Sequence, residues 1–360
     1  MKTSSFSYSE FVDILQAQTP CVLVTVLQTH GSTPQKAGSS ALIGIDHLLA
    51  GTVGGGITEL KVIHLTQLSL KSHLSGMFSF DLSGDLAKGS ESICGGGMTL
   101  LLDAAPELHL PVFMQLKQSL AERQKGVLIT LIDNSNPEEI KISRHWYSKT
   151  NQPHLPDEIR SKIEPLIMEM LDRSNTGSNQ LIPLKKLGSK QDGYLFLECI
   201  VPKSSLIIAG AGHIGQSLAH LGKFLDFAVT VWDDRPEYAT KSLIPDADFV
   251  LSGSIDSFAD QLLMGDDSYL VIVTHGHKSD AEVLRKFISS GLAYIGMIGS
   301  KAKVAQMRIS FLDNGWATPE QWERIYTPVG LDIGAQTVED ISVSIAAQLV
   351  KVRNQKKILQ

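Results

Sequence analysis

Cysteine is scarce in this chain. The 360 residues hold three, Cys21, Cys94 and Cys199. No two stand in a CxxC spacing, so neither a disulfide framework nor a cysteine-built iron–sulfur site is expected. An HExxH pair is also missing, which leaves no sequence support for a dedicated zinc site. Basic residues are outnumbered, with 32 Lys and Arg against 38 Asp and Glu and a net charge of −6. That balance argues against a nucleic-acid partner, which selects a clustered basic face. No apolar run reaches the ~18 residues of a membrane helix. The first residues lack the apolar core of a signal peptide, so a cytoplasmic protein with free thiols and no membrane partner is expected. Neither internal repeats nor long low-complexity runs are present.

Length and pattern point to two domains. The chain as far as residue 200 mixes helical and strand periodicities, as an α+β domain does, and its polar stretch at about 133–193 reads as an irregular connector with one helix. Val201-Pro202-Lys203-Ser204 breaks the pattern. Over 204–352, short β-branched strands alternate with helices of about a dozen residues, which implies right-handed βαβ units and a parallel, doubly wound sheet of Rossmann type. Cys21 and Cys199 fall in strands and read as core.

The sharpest local signal is Gly210-Ala211-Gly212-His213-Ile214-Gly215. A lone GxGxxG is weak, but this one follows a strand and opens a helix. Gly210 permits the tight turn, Gly212 lets a phosphate approach the backbone, and Gly215 allows helix and strand to pack closely. The helix N-terminus adds free N–H groups and partial positive charge. Asp233 ends the second strand, where a ribose-binding carboxylate of a dinucleotide site stands, and Arg235 could pair with a phosphate instead.

Other groups should gather at the same carboxyl edge of the sheet. His213 lies inside the phosphate turn. His275-Gly276-His277 and Asp280 follow the fourth strand, with acid/base, hydrogen-bonding or local capping roles open to them. Ser300 and Lys301 follow the fifth strand, where they could meet an anion or simply start a solvated helix. The first domain repeats the physics at Gly51-Thr52-Val53-Gly54-Gly55-Gly56, a second glycine loop entering a helix. Cys94-Gly95-Gly96-Gly97 sets a thiol on open backbone, where, once deprotonated, it could ligate a soft metal or carry sulfur.

Taken together these stretches resemble the XdhC/CoxI family of accessory proteins for molybdenum hydroxylases such as xanthine dehydrogenase. His30-Gly31-Ser32-Thr33-Pro34, the Gly51–Gly56 loop and Cys94-Gly95-Gly96 carry the resemblance in the first domain. In the second it rests on the Gly210–Gly215 turn, Asp233-Asp234-Arg235-Pro236, Thr274-His275-Gly276-His277, Tyr294 to Lys301 and Pro328-Val329-Gly330-Leu331-Asp332-Ile333-Gly334. Two positions depart from the family pattern: Gln35 and His275 stand where arginine is common. The resemblance implies a cofactor chaperone more than a catalyst. Such a protein binds the molybdenum cofactor (molybdopterin or its dinucleotide form), assists its sulfuration and passes it to an apo xanthine dehydrogenase-type hydroxylase. A homodimer and a cysteine desulfurase partner are implied as well. On that reading Cys94 and His277 serve the chemistry, with Cys94 near the metal. The cofactor-binding set is Gly54, Gly55, Gly56, Gly210, Gly212, His213, Gly215, Asp233, Arg235, His275, Ser300 and Lys301. An oxidoreductase using NAD(P) or FAD, or a nucleotide-sensing scaffold, are the alternatives.

Overall fold

A computed structural model describes residues 6–55, 57–82, 95–136, 138–155, 157–172 and 179–358. The chain divides into two compact units, Met1–Pro202 and Lys203–Gln360.

In the first unit the chain runs through α1 (Tyr8–Gln16), β1 (Val22–His30), β2 (Ser40–Ile43), β3 (Leu48–Gly51), α2 (Ile57–Ser72), β4 (Gly76–Asp81) and β5 (Gly97–Asp103). It continues through α3 (Leu110–Ala121), β6 (Gly126–Asp133), β7 (Lys141–Ser148), α4 (Asp157–Asp172), β8 (Gln180–Pro183) and β9 (Gly193–Ile200). Among the described residues these strands form two antiparallel sheets, ordered β3-β2-β1-β5-β4 and β7-β6-β9-β8. The second sheet corrects the sequence reading of 133–193 as irregular. β7 (KISRHWYS) lacks a clean apolar alternation because one of its inward residues is Arg144. That guanidinium is buried through an ion pair with Asp103, itself buried at the end of β5, and lies 5.5 Å from the Phe113 ring centre. The pair thus ties one sheet to the other. Cys21 and Cys199 are buried, as expected.

The second unit contains β10 (Ser205–Ala209), α5 (His213–Phe224), β11 (Ala228–Asp233), β12 (Phe249–Ser252), α6 (Ile255–Asp260), β13 (Ser268–Ile272) and α7 (His277–Phe287). β14 (Tyr294–Met297), α8 (Lys301–Asp313), α9 (Pro319–Glu323), β15 (Ile325–Tyr326) and α10 (Val338–Ile358) complete it. Its strands form one parallel sheet ordered β12-β11-β10-β13-β14-β15. β10 and β13 are buried at every position, as a sheet covered on both faces requires. Alternate residues feed opposite cores. Leu206, Ile208, Val229 and Val271 pack with α5 and α10. Ile207, Ala209, Leu270 and Ile272 pack with α7, α8 and α9. This is the Rossmann-type domain expected from the sequence. The strand order reverses direction between β10 and β13, and a crevice opens at such a switch point beyond the carboxyl ends of the strands.

Candidate functional site at the carboxyl edge of the parallel sheet

The turn after β10 is shaped by two close approaches. At Gly210 (φ +125°) a Cβ would lie 2.2 Å from the Val273 carbonyl oxygen, and at Gly215 one would lie 1.9 Å from the Gly210 carbonyl oxygen. Only glycine fits either place without moving backbone. Gly212 differs: a Cβ there would meet no heavy atom within 4 Å. Its backbone therefore faces open space at the start of α5.

Helix starts in this unit fall into two groups. Ser254, Ser300 and Thr318 cap α6, α8 and α9, each accepting a hydrogen bond from a backbone N–H of its first turn, and the Thr337 hydroxyl accepts from the Asp340 N–H at the start of α10. α5 and α7, led by Gly212 and Gly276, have no side-chain cap. These two helices follow β10 and β13, the strands on either side of the switch point. Their first-turn N–H groups stay available to an anion.

The histidines stand at the same edge. His213 and His277 are the first residues of α5 and α7 and are exposed. His275 lies 3.6 Å from an Asp234 carboxylate oxygen, both side chains being 44% exposed. One carboxylate oxygen each of Asp233 and Asp234 and one ring nitrogen of His275 lie within 4.8 Å of one another. Asp280, by contrast, turns inward. It is 2% exposed and accepts hydrogen bonds from the Thr274 hydroxyl (2.6 Å) and Thr274 N–H (3.1 Å). Burial pushes its carboxyl up, and the Thr274 donors oppose that rise. It staples the loop after β13 and takes no part in the open crevice.

Asp233 likewise has a duty that the sequence did not reveal. It is 1% exposed. One oxygen accepts from Arg235 N–H (3.1 Å) and Nε (2.8 Å), the other from Ala211 N–H (2.8 Å) and Arg235 Nη2 (3.0 Å). Burial would raise this carboxyl, but those bonds outweigh it and hold it below the usual carboxylate range. The Arg235 guanidinium lies 3.9 Å from the Tyr238 ring centre. Ser300 spends its hydroxyl on capping α8, with Lys301 exposed beside it.

The loop from Pro328 to Gly334 lies against this edge. The Val329 N–H donates to the Met297 carbonyl at the end of β14 (3.0 Å). Gln348 of α10 clamps Gly330 from both sides, accepting from its N–H (2.9 Å) and donating to its carbonyl (3.2 Å). Sequence reasoning passed over Gln348, since a glutamine inside a helix gives no signal that it faces a loop.

The first unit brings its own motif loops together. A Cβ on Gly31 would lie 2.7 Å from the Gly95 carbonyl oxygen, one on Gly96 would lie 2.4 Å from the His30 carbonyl oxygen, and one on Gly54 would lie 3.0 Å from Pro34 Cγ. The loops after β1, after β3 and before β5 thus form one cluster, with Gly55 open to approach. Cys94 and Gly56 lie outside the described residues.

Comparison with known proteins agrees with this architecture. Residues 206–349 match the XdhC Rossmann domain, and residues 14–81 match the XdhC and CoxI family. The chain belongs to the XdhC and CoxI family. Over 349 residues it is 25% identical to a Bacillus subtilis protein whose name describes a probable xanthine dehydrogenase subunit, covering 96% of this chain and 97% of that one. It is 30% identical over 150 residues to the uncharacterized protein YqeB of Escherichia coli, which spans 41% of this chain and 27% of that protein. A solved structure described as a xanthine dehydrogenase, from Bacillus halodurans, shares the fold with a TM-score of 0.71 at 23% identity, covering 97% of this chain and 96% of that one. Among the described residues, no helix is long and apolar enough to cross a membrane.

Proposed function

We propose that this family member is an accessory protein that binds the molybdenum cofactor, assists its sulfuration and delivers it to a xanthine dehydrogenase-type hydroxylase. The observation that carries the reading is the pair of uncapped helix starts beside the open Gly212 backbone. Molybdopterin ends in a phosphate, and these N–H groups with no side chain in the way suit one. The donor set fits the rest of the group: Gly210, Gly212 and Gly215 shape the grip, while His213 and His277 supply ring nitrogens that donate to or accept from a polar pterin. When bound, the cofactor supplies the molybdenum centre that the client enzyme uses. This chain's residues hold the phosphate and orient the pterin.

Cys94 is the thiol assigned to sulfuration, with a cysteine desulfurase as the sulfur source, and the working form is a homodimer in the cytoplasm. The name of the Bacillus subtilis relative, which mentions xanthine dehydrogenase, supports the choice of client. Native mass spectrometry of the chain purified from cells that make the cofactor tests the reading. Retained molybdopterin is expected. Retained NAD or FAD would favour an oxidoreductase, and an empty chain that captures only the hydroxylase would favour a scaffold. Transfer to apo-hydroxylase should fall on Cys94→Ala, and unchanged transfer would remove that residue from the proposal.

A further inference from the structure

Parallel sheets of this order hold a dinucleotide by two arms: a glycine turn for the pyrophosphate and an acidic residue at the end of the second strand for the ribose hydroxyls. Here the acidic residue is in place and is already used. An ionised carboxylate has about four acceptor positions. Asp233 fills them with the Ala211 N–H and with the backbone N–H, Nε and Nη2 of Arg235. A ribose diol could bond it only by displacing the guanidinium. That displacement would break a forked ion pair whose carboxylate is 1% exposed and pull Arg235 from its place 3.9 Å over the Tyr238 ring.

We infer that the crevice takes a phosphate-bearing ligand with no ribose at the end of β11, and that the Asp233–Arg235 latch is what turns nicotinamide dinucleotides away. The inference rests on the reading of the Gly210–Gly215 turn as a phosphate grip and narrows the class of ligand. In this role Asp233 and Arg235 are positioning residues. Asp233 holds the second residue of the turn through Ala211, and Arg235 occupies the space a ribose would need.

The test is a fluorescence titration of the full chain with NADH and NADPH. The wild type should show no saturable NADH binding to about 1 mM. Arg235→Ala frees two acceptor positions facing the ribose. NADH binding should then tighten roughly tenfold to a hundredfold, the effect of one or two hydrogen bonds to a charged acceptor. NADPH should not gain, because its 2′-phosphate would face the bared carboxylate. Adding Asp233→Asn to Arg235→Ala should abolish the gain. Micromolar NADH binding by the wild type would overturn the inference, as would a folded Arg235→Ala chain with no gain. If Arg235→Ala melts, the wild-type titration and Arg235→Lys, which cannot fork across both oxygens, decide the matter. A chain that lacks molybdopterin yet gains NADH on Arg235→Ala keeps this inference and sinks the carrier reading. A chain that retains molybdopterin and also binds NADH does the opposite.

Discussion

The two units bring their glycine turns together by different routes. In the parallel unit a single strand–turn–helix segment does it, so the residues that shape the grip are neighbours in the chain. Gly210 and Gly215 meet at 1.9 Å when a Cβ is imagined on the latter. In the antiparallel unit, three loops distant in sequence must converge, and Gly31 meets Gly95 and Gly96, and Gly54 meets Pro34, only because the sheet brings β1, β3 and β5 together. The lesson is about robustness. The first arrangement depends on local sterics, and the second on how the antiparallel unit as a whole is held together.

The largest effect should come from breaking that hold. Arg144→Met leaves Asp103 buried without its partner, and the first unit should lose about 3–5 kcal/mol. Chemical denaturation would show an early transition while the parallel unit keeps its own. If both units melt together and unchanged, the account of the first is wrong.

The second contrast lies within the grip. Gly210→Ala drives a methyl to 2.2 Å from a backbone oxygen at a positive φ, and a loss of about 2–3 kcal/mol is expected for the parallel unit. Gly212→Ala meets nothing and has an extended φ of −70°, so calorimetry should show a change within about 0.5 kcal/mol. Equal destabilisation by the two would contradict the division between shaping and contacting glycines.

A smaller effect should be visible in pH. Glu198 of β9 is 8% exposed and accepts from the Tyr8 hydroxyl at 3.2 Å. Burial pushes its carboxyl up to about 7, against the opposing influence of Tyr8 and Arg144. A carboxyl whose folded pKa lies above its unfolded one destabilises the fold as it ionises. The first unit should therefore lose up to about 3 kcal/mol as pH rises from about 4.5 to about 7. Glu198→Gln should flatten this slope, while the slope of the second unit stays as it was. An unchanged slope in the variant would show that another group titrates.

This contrast also explains what could be read in advance. The parallel unit was legible because its central strands β10 and β13 are short buried apolar runs and the first turn is local: β10, the glycine turn and α5 follow one another, whereas the two-residue β15 carried no such pattern. β7 was not legible, because its buried Arg144 looks like a surface residue until Asp103 is placed beside it. Asp233 and Arg235 were singled out as ligand contacts from their position. Their neighbourhood was visible, but the fold-back of the guanidinium onto both carboxylate oxygens was not, since it depends on the backbone after β11. Similarly, Ser300 could be a cap or an anion contact by its sequence alone, and the α8 start decides for the cap. The meeting of Gly31 with Gly95 and Gly96 has no sequence signal beyond the motifs themselves.

The measurement that bears most directly on the central claim is the pterin content of wild type and Gly212→Ala, purified side by side from cofactor-producing cells and matched in melting temperature. Molybdopterin is expected in the wild type and should be lost from the variant, because a methyl then stands where the phosphate must approach. Equal pterin in both, or none in the wild type, would contradict it.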